Sequence, residues 1–255
     1  MKRILSPSLL GYEDQLDEKL SFILDMIEVG IVNMHIDVMA PPFISDTNKF
    51  SLEKFKFLYG KLKGKCSFDI HFMLSNPIPY IESLDFIENK NKIILTIHME
   101  SFRTFSGGLE RFNSKDYDLI KSDNVRLRQA DLEIKNKIVK TLEMIKGKGF
   151  KTGIALEPGT SLENLTPLVM ENVDLVLLMS VVSGAGGQKY HDYVTEKIKN
   201  VKNNFPSVIV QVDGGVNEET LPIVIEAGAD NIVIGSYITN EEDVKGRVKE
   251  ILNLL

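Results

Sequence analysis

Eight short apolar runs, each followed by a stretch with helical character, recur along the whole chain. The runs cover residues 3–8, 31–39, 66–73, 93–98, 151–156, 173–180, 208–213 and 231–234. Strands that alternate with helices pair in parallel through right-handed crossovers. Eight such units in 255 residues point to one α/β domain, a (β/α)8 TIM barrel over residues 1–255. An open doubly wound sheet normally carries a dominant glycine-rich loop after its first strand. Here the first run ends in Ser6-Pro7-Ser8. The clearest helix begins near Asp14, with Leu16, Leu20, Ile23, Leu24 and Ile27 on one face and Gly30 ending it. A second, over 218–226, stops at Ala227-Gly228-Ala229, and the last runs from about 241 to the end of the chain. One segment, about 101–130, breaks the rhythm with a polar, charged stretch containing Ser106-Gly107-Gly108. Placed after the fourth strand, it reads either as a lid or interface element or as a tolerated surface insertion.

Within a strand, alternate side chains share a face. Asn33, His35, Asp37 and Met39 therefore project together, as do Asp69, His71 and Met73, while Asp213 ends the seventh run. Barrel strands deliver their C-terminal residues to a common mouth. His35, Asp37, His71 and Asp213 can meet there as a mixed nitrogen and oxygen set that suits a divalent cation: zinc, iron(II), manganese or cobalt. The competing reading is a scatter of buried polar groups satisfied by hydrogen bonds, but buried charges are costly without partners or a metal.

Glycines follow each of the last three strands: Gly184, Gly186 and Gly187, then Gly214 and Gly215, then Gly235 with Ser236. Glycine lets backbone N–H groups approach an anion closely, so three such loops side by side suggest a phosphate cradle. Single glycine turns are ordinary in βα loops. Met39, Met73 and Met179 near strand ends read either as core packing or as a soft, dry lining. His98 and Glu100 repeat the i, i+2 spacing, as a second layer around a metal or as an ordinary polar pair. Ser8 reads as a turn residue or a substrate hydrogen-bond partner, and His191 as a solvated surface residue.

The net charge of -6 argues against nucleic acid or an anionic membrane as partner. The single cysteine, Cys66, rules out an internal disulfide and reads as a small buried strand residue in a reducing compartment. The start of the chain lacks the apolar stretch of a signal peptide. No run approaches the roughly 20 apolar residues of a membrane helix, so a cytoplasmic protein is expected.

Taken in order, several motifs resemble those of the ribulose-phosphate 3-epimerase family, including its allulose-6-phosphate members. They are Ser6-Pro7-Ser8-Leu9-Leu10, His35-Ile36-Asp37-Val38-Met39, Asp69-Ile70-His71-Phe72-Met73, Asn76-Pro77 and His98-Met99-Glu100. Further on come Ala155-Leu156-Glu157-Pro158-Gly159-Thr160, Met179-Ser180-Val181, Gly184 with Gly186-Gly187-Gln188, Val212-Asp213-Gly214-Gly215-Val216, Gly228-Ala229-Asp230 and Gly235-Ser236. The resemblance implies a barrel whose divalent metal is held by His35, Asp37, His71 and Asp213. It implies that Asp37 and Asp213 act as paired acid and base through an enediolate, with Ser8 near the substrate. It implies phosphate contacts from the loops of Gly186, Gly187, Gly214, Gly215, Gly235 and Ser236, and Met39, Met73, Met179 and Gly184 complete the expected lining. The implied reaction interconverts D-ribulose 5-phosphate and D-xylulose 5-phosphate. A hexulose phosphate such as allulose 6-phosphate, or a non-catalytic sugar-phosphate-binding role, are the alternatives. Such barrels often assemble, so a homo-oligomer is expected. The family usually has Asp-Gly-X-Phe where this chain has Ala40-Pro41-Pro42-Phe43. It has an acidic residue or Asn and a Pro before the sixth-loop glycine and a Phe after it, where this chain has Val182, Ser183 and Ala185.

Overall fold

In the computed structural model, which describes residues 3–44, 49–102 and 125–255, the strands close into a parallel barrel. They are β1 (Ile4–Pro7), β2 (Asn33–Met39), β3 (Ser67–Met73), β4 (Ile93–His98), β5 (Lys151–Leu156), β6 (Leu175–Met179), β7 (Ile209–Asp213) and β8 (Asn231–Ile234). Hydrogen bonding runs β1-β8-β7-β6-β5-β4-β3-β2, and a parallel bridge between Ser8 and His35 joins β1 to β2. All eight expected strands form, several one or two residues shorter at their ends. Cys66 lies just before β3 and is half-buried, not a buried strand residue. Burial pushes its thiol up to about 12.

Outward strand residues such as Met34, Ile36 and Val38 of β2 and Phe68, Ile70 and Phe72 of β3 join the main apolar core. The helices complete that core with one face each. In α1 (Leu16–Glu28) Leu16, Ile23 and Met26 are buried, in line with the periodicity of the sequence. In α2 (Leu52–Leu62), capped by Ser51, the buried face is Phe55, Leu58, Tyr59 and Leu62. After α3 (Ile78–Glu82), α4 (Val125–Gly147) buries Ile138, Leu142 and Ile145. α4 is already helical at 125–130, inside the stretch read as irregular. The rest of that stretch, 103–124, lies outside the described residues. The later helices are α5 (Pro167–Met170), α6 (Val194–Asn204), α7 (Leu221–Ala227), α8 (Ser236–Thr239) and α9 (Val244–Leu254). The final helical stretch is thus preceded by a separate short turn, α8, and α9 starts at the Asp243 cap, whose carboxylate accepts from the Gly246 N–H. Among the described residues no helix is long and apolar enough to cross a membrane.

The barrel interior is divided by chemistry. Ala155, Leu175, Leu177, Met179 and Val181, from β5, β6 and the turn that follows, form an apolar cluster. The opposite side is polar, because the register sets His35 beside Asp69, Asp37 beside His71, and Gln211 beside Asn231. Each of these polar groups is buried and must find a partner inside the fold. That requirement fixes the geometry of the site above them.

Candidate active site

One atom each from His35, Asp37, His71 and Asp213 converges within 4.8 Å of the others. His35 Nε2 lies 3.1 Å from Asp37 Oδ1 and 3.7 Å from Asp213 Oδ2. His71 Nδ1 lies 3.2 Å from Asp37 Oδ1 and 4.0 Å from Asp213 Oδ2. Both imidazoles are fully buried. The set of two nitrogens and two carboxylate oxygens matches what zinc and its neighbours in the first transition row take. The four side chains expected at a common mouth do meet there, and both imidazoles also lie within hydrogen-bond distance of Asp37.

A polar layer beneath the cluster aims His35. Its Nδ1 meets Asp69 Oδ1, and the other Asp69 oxygen accepts from Asn33 Nδ2 at 2.7 Å and Gln211 Nε2 at 2.8 Å. Asn33 also donates to Ser6 Oγ at 2.8 Å, which donates to Asn231 Oδ1 at 2.7 Å. A carboxylate on the far nitrogen of a metal-binding histidine fixes its tautomer and ring orientation. Asp69 was visible in the sequence only through its spacing to His71, and Gln211 carried no signal.

All four ionisable groups of the cluster depart from their ordinary behaviour. Burial opposes the charge on Asp37, but His35 and His71 outweigh it and hold the carboxyl well below its usual range. Burial, with Asp37 and Asp69 nearby, pushes Asp213 up to about 7 against the pull of His35. For His35, burial disfavours a proton, yet Asp69 and Asp37 win and raise its pKa. Burial drives His71 down to about 4, aided by His98 and opposed by Asp37. Two carboxyls in one site are thus pushed apart, a pattern that suits an acid and base pair.

Above the cluster opens a cavity of about 450 Å³, within the range of small-molecule sites. It is lined by every residue expected to contact substrate: Ser8, Met39, Met73, Met179, Gly184, Gly186, Gly187, Gly214, Gly215, Gly235 and Ser236, besides Asp37 and Asp213. Ser8 lines the cavity while closing a turn: its Oγ donates to Asp37 Oδ2 at 2.7 Å and accepts from Leu10 N at 3.3 Å. The methionines are buried and also line the cavity, so the two readings of them coincide. Met39 and Met73 pack with Phe43 and Ile44, and the Phe43 ring sits 4.9 Å from that of His98. Ala40-Pro41-Pro42-Phe43 therefore delivers an aromatic wall beside the site.

The glycine loops have defined shapes. Gly214 and Gly215 adopt φ of 112° and 65°, where side chains are disfavoured. A Cβ on Gly215 would lie 2.5 Å from Tyr190 N and 2.9 Å from Gln188 O. Gln188 Nε2 folds its own loop by donating to Val182 O at 2.6 Å and Ala185 O at 2.9 Å. His191 is half-buried and stacks on Tyr193, with ring centres 5.5 Å apart, so it is not the solvated residue expected.

A third polar group lies on the β4–β6 side. Glu157 accepts from Ser183 N at 3.2 Å and from Ser183 Oγ, which ties β5 to the loop after β6. Lys197 of α6 holds the turn after β5 through Pro158 O at 2.6 Å and Thr160 O at 2.5 Å. Burial, with Glu100 beside it, raises Glu157 from 4.5 to about 7 against His98 and Ser183. The folded state then holds a proton that the unfolded chain gives up above about pH 4.5, so this stabilising contribution is present at low pH and lost as pH rises to about 7. Glu157→Gln removes the titration. The stability of the variant relative to the unaltered protein should therefore increase between those pH values and level off above them. Urea denaturation across that range checks this, and a constant difference would contradict it.

The model sequence of the ribulose-phosphate 3 epimerase family matches residues 4–117 and 115–239. The chain belongs to the ribulose-phosphate 3-epimerase family. It is 30% identical over 215 residues to the cytoplasmic isoform of ribulose-phosphate 3-epimerase from Oryza sativa subsp. japonica, covering 84% of this chain and 78% of that one. It is 43% identical over 117 residues to ribulose-phosphate 3-epimerase from Bacillus subtilis, which covers 44% of this chain and about half, 54%, of the relative. Among solved structures, 3-hexulose-6-phosphate synthase from Salmonella typhimurium superposes with a TM-score of 0.61 at 14% identity, covering 100% of this chain and 98% of that one. At that identity the likeness speaks to the barrel alone.

Proposed function

We propose that this family member inverts carbon 3 of a ketose phosphate, interconverting D-ribulose 5-phosphate and D-xylulose 5-phosphate. The observation that carries the reading is the placement of two carboxyls, Asp37 and Asp213, on one cavity beside a four-ligand cluster. A hydrogen on a carbon next to a ketone is weakly acidic, so its removal needs a positioned base. Asp37, held ionised, accepts that proton from one face. Asp213, whose pKa is raised to about 7, returns a proton to the opposite face, and the roles exchange in the reverse reaction. A divalent cation on the four ligands would supply a Lewis acid for the ketone oxygen and the charge that grows on it.

The remaining residues place the sugar. Ser8 holds Asp37 by one oxygen and leaves the other toward the cluster. Met39, Met73 and Met179 give a low-polarity lining that keeps water from the carbon being inverted. Backbone N–H groups of the loops at Gly186, Gly187, Gly214, Gly215, Gly235 and Ser236 take the phosphate, which fixes the reacting carbon between the carboxyls.

The test is an assay of protein supplied with zinc, iron(II), manganese or cobalt in turn, against D-ribulose 5-phosphate and D-allulose 6-phosphate in parallel. Formation of D-xylulose 5-phosphate is the expected result. Turnover of the hexulose alone would move the assignment to that substrate. Binding of sugar phosphate with no turnover of either would leave a non-catalytic binding protein.

A further inference from the structure

Three of the four histidines in the chain lie in one hydrogen-bonded series, and only two of them belong to the ligand cluster. His71 Nε2 lies 2.7 Å from His98 Nε2, and the two rings stack with centres 4.8 Å apart. His98 Nδ1 lies 3.0 Å from Glu100 Oε2 and 3.7 Å from Glu157 Oε1. Glu100 Oε1 accepts from Glu157 N at 3.2 Å and from Thr160 Oγ1. All these side chains are buried, and neither His98 nor Glu100 lines the cavity.

The direction of these bonds is fixed from the carboxylate end. A carboxylate only accepts, so His98 Nδ1 carries the hydrogen. A neutral His98 then offers a lone pair at Nε2. His71 must fill it with an Nε2 hydrogen, which leaves the His71 Nδ1 lone pair facing Asp37 and Asp213. His35 has the usual arrangement, a carboxylate directly on its far nitrogen. His71 has an imidazole inserted between ligand and carboxylate.

We propose that His98 and Glu100 are positioning residues that set the tautomer of His71, so that its Nδ1 is presented as a ligand atom to a divalent cation. The inference rests on the metal-binding reading of the cluster, and its test uses no sugar. Glu100→Gln keeps the shape but changes the logic. Its amide oxygen is already claimed by Glu157 N and Thr160, so its NH2 faces His98 Nδ1. His98 must then accept there and donate from Nε2, His71 must accept at Nε2, and the His71 hydrogen moves to Nδ1, where it blocks ligation.

Two measurements decide it. In 15N-labelled protein, the ring nitrogens of wild type should show His71 protonated at Nε2 and His98 at Nδ1. Cobalt(II), followed by its visible absorbance in competition with a chelator, should bind Glu100→Gln about 10–100-fold more weakly than wild type, while circular dichroism shows the fold retained. A hydrogen on His71 Nδ1 in wild type would overturn the proposal. So would folded Glu100→Gln that binds cobalt(II) as tightly as wild type. If Glu100→Gln does not fold, the wild-type nitrogen spectrum alone decides. Absence of epimerase activity in cation-loaded wild type whose ring nitrogens and cobalt(II) binding are as expected would count against the proposed reaction and not against this inference.

Discussion

Asp37→Asn and Asp213→Asn, each assayed with saturating divalent cation, are expected to epimerise about 10²–10⁴-fold more slowly than the unaltered protein. Each amide keeps roughly the size of the carboxyl but can neither take nor return a proton. The two variants should also differ from each other. Inversion uses one group on each face of the carbon, so a protein with one remaining carboxyl can still exchange the hydrogen of the epimer that points at it. Asp37→Asn should therefore wash isotope out of one pentulose phosphate, and Asp213→Asn out of the other. Following carbon-3 tritium release from both epimers with both variants checks this. If both variants lost exchange with both epimers while still binding cation and sugar phosphate, a two-face mechanism would be wrong. Because both residues are also expected ligands, cation binding must be measured alongside.

Asp69→Asn carries the second large effect. Asp69 is fully buried and serves three partners: His35 Nδ1, Asn33 and Gln211. An amide can accept with one end only, so its NH2 must face one of three donors. That leaves buried polar groups unsatisfied, at a cost of about 1–3 kcal/mol. It also frees the His35 ring, and the affinity for the cation should fall about 10–100-fold. Urea denaturation and chelator competition read the two effects separately. Unchanged cation affinity would mean that His35 is held by its packing and not by Asp69.

The sequence made the barrel legible because its signal is repetitive. Eight apolar runs of strand length, each followed by helical periodicity, leave few topologies open. His35, Asp37, His71 and Asp213 were legible for a related reason: strand periodicity puts each on an inward face near a strand end, and closure brings those ends together. The support beneath them was not. Ser6, Asn33, Asp69, Gln211 and Asn231 come from five strands, and only the inter-strand register shows that they meet in one layer. The tie from Glu157 to Ser183 is similar, since it crosses between a strand end and a loop. Phe43 followed an unusual loop sequence, and nothing in that sequence placed its ring against His98.

The most direct test of the account is solvent isotope entry in the unaltered, cation-loaded protein. Incubation with D-ribulose 5-phosphate in heavy water should place deuterium at carbon 3 of the D-xylulose 5-phosphate that forms, and at no other carbon. Epimer formed with its original carbon-3 hydrogen retained throughout would contradict proton exchange between two solvent-linked carboxyls.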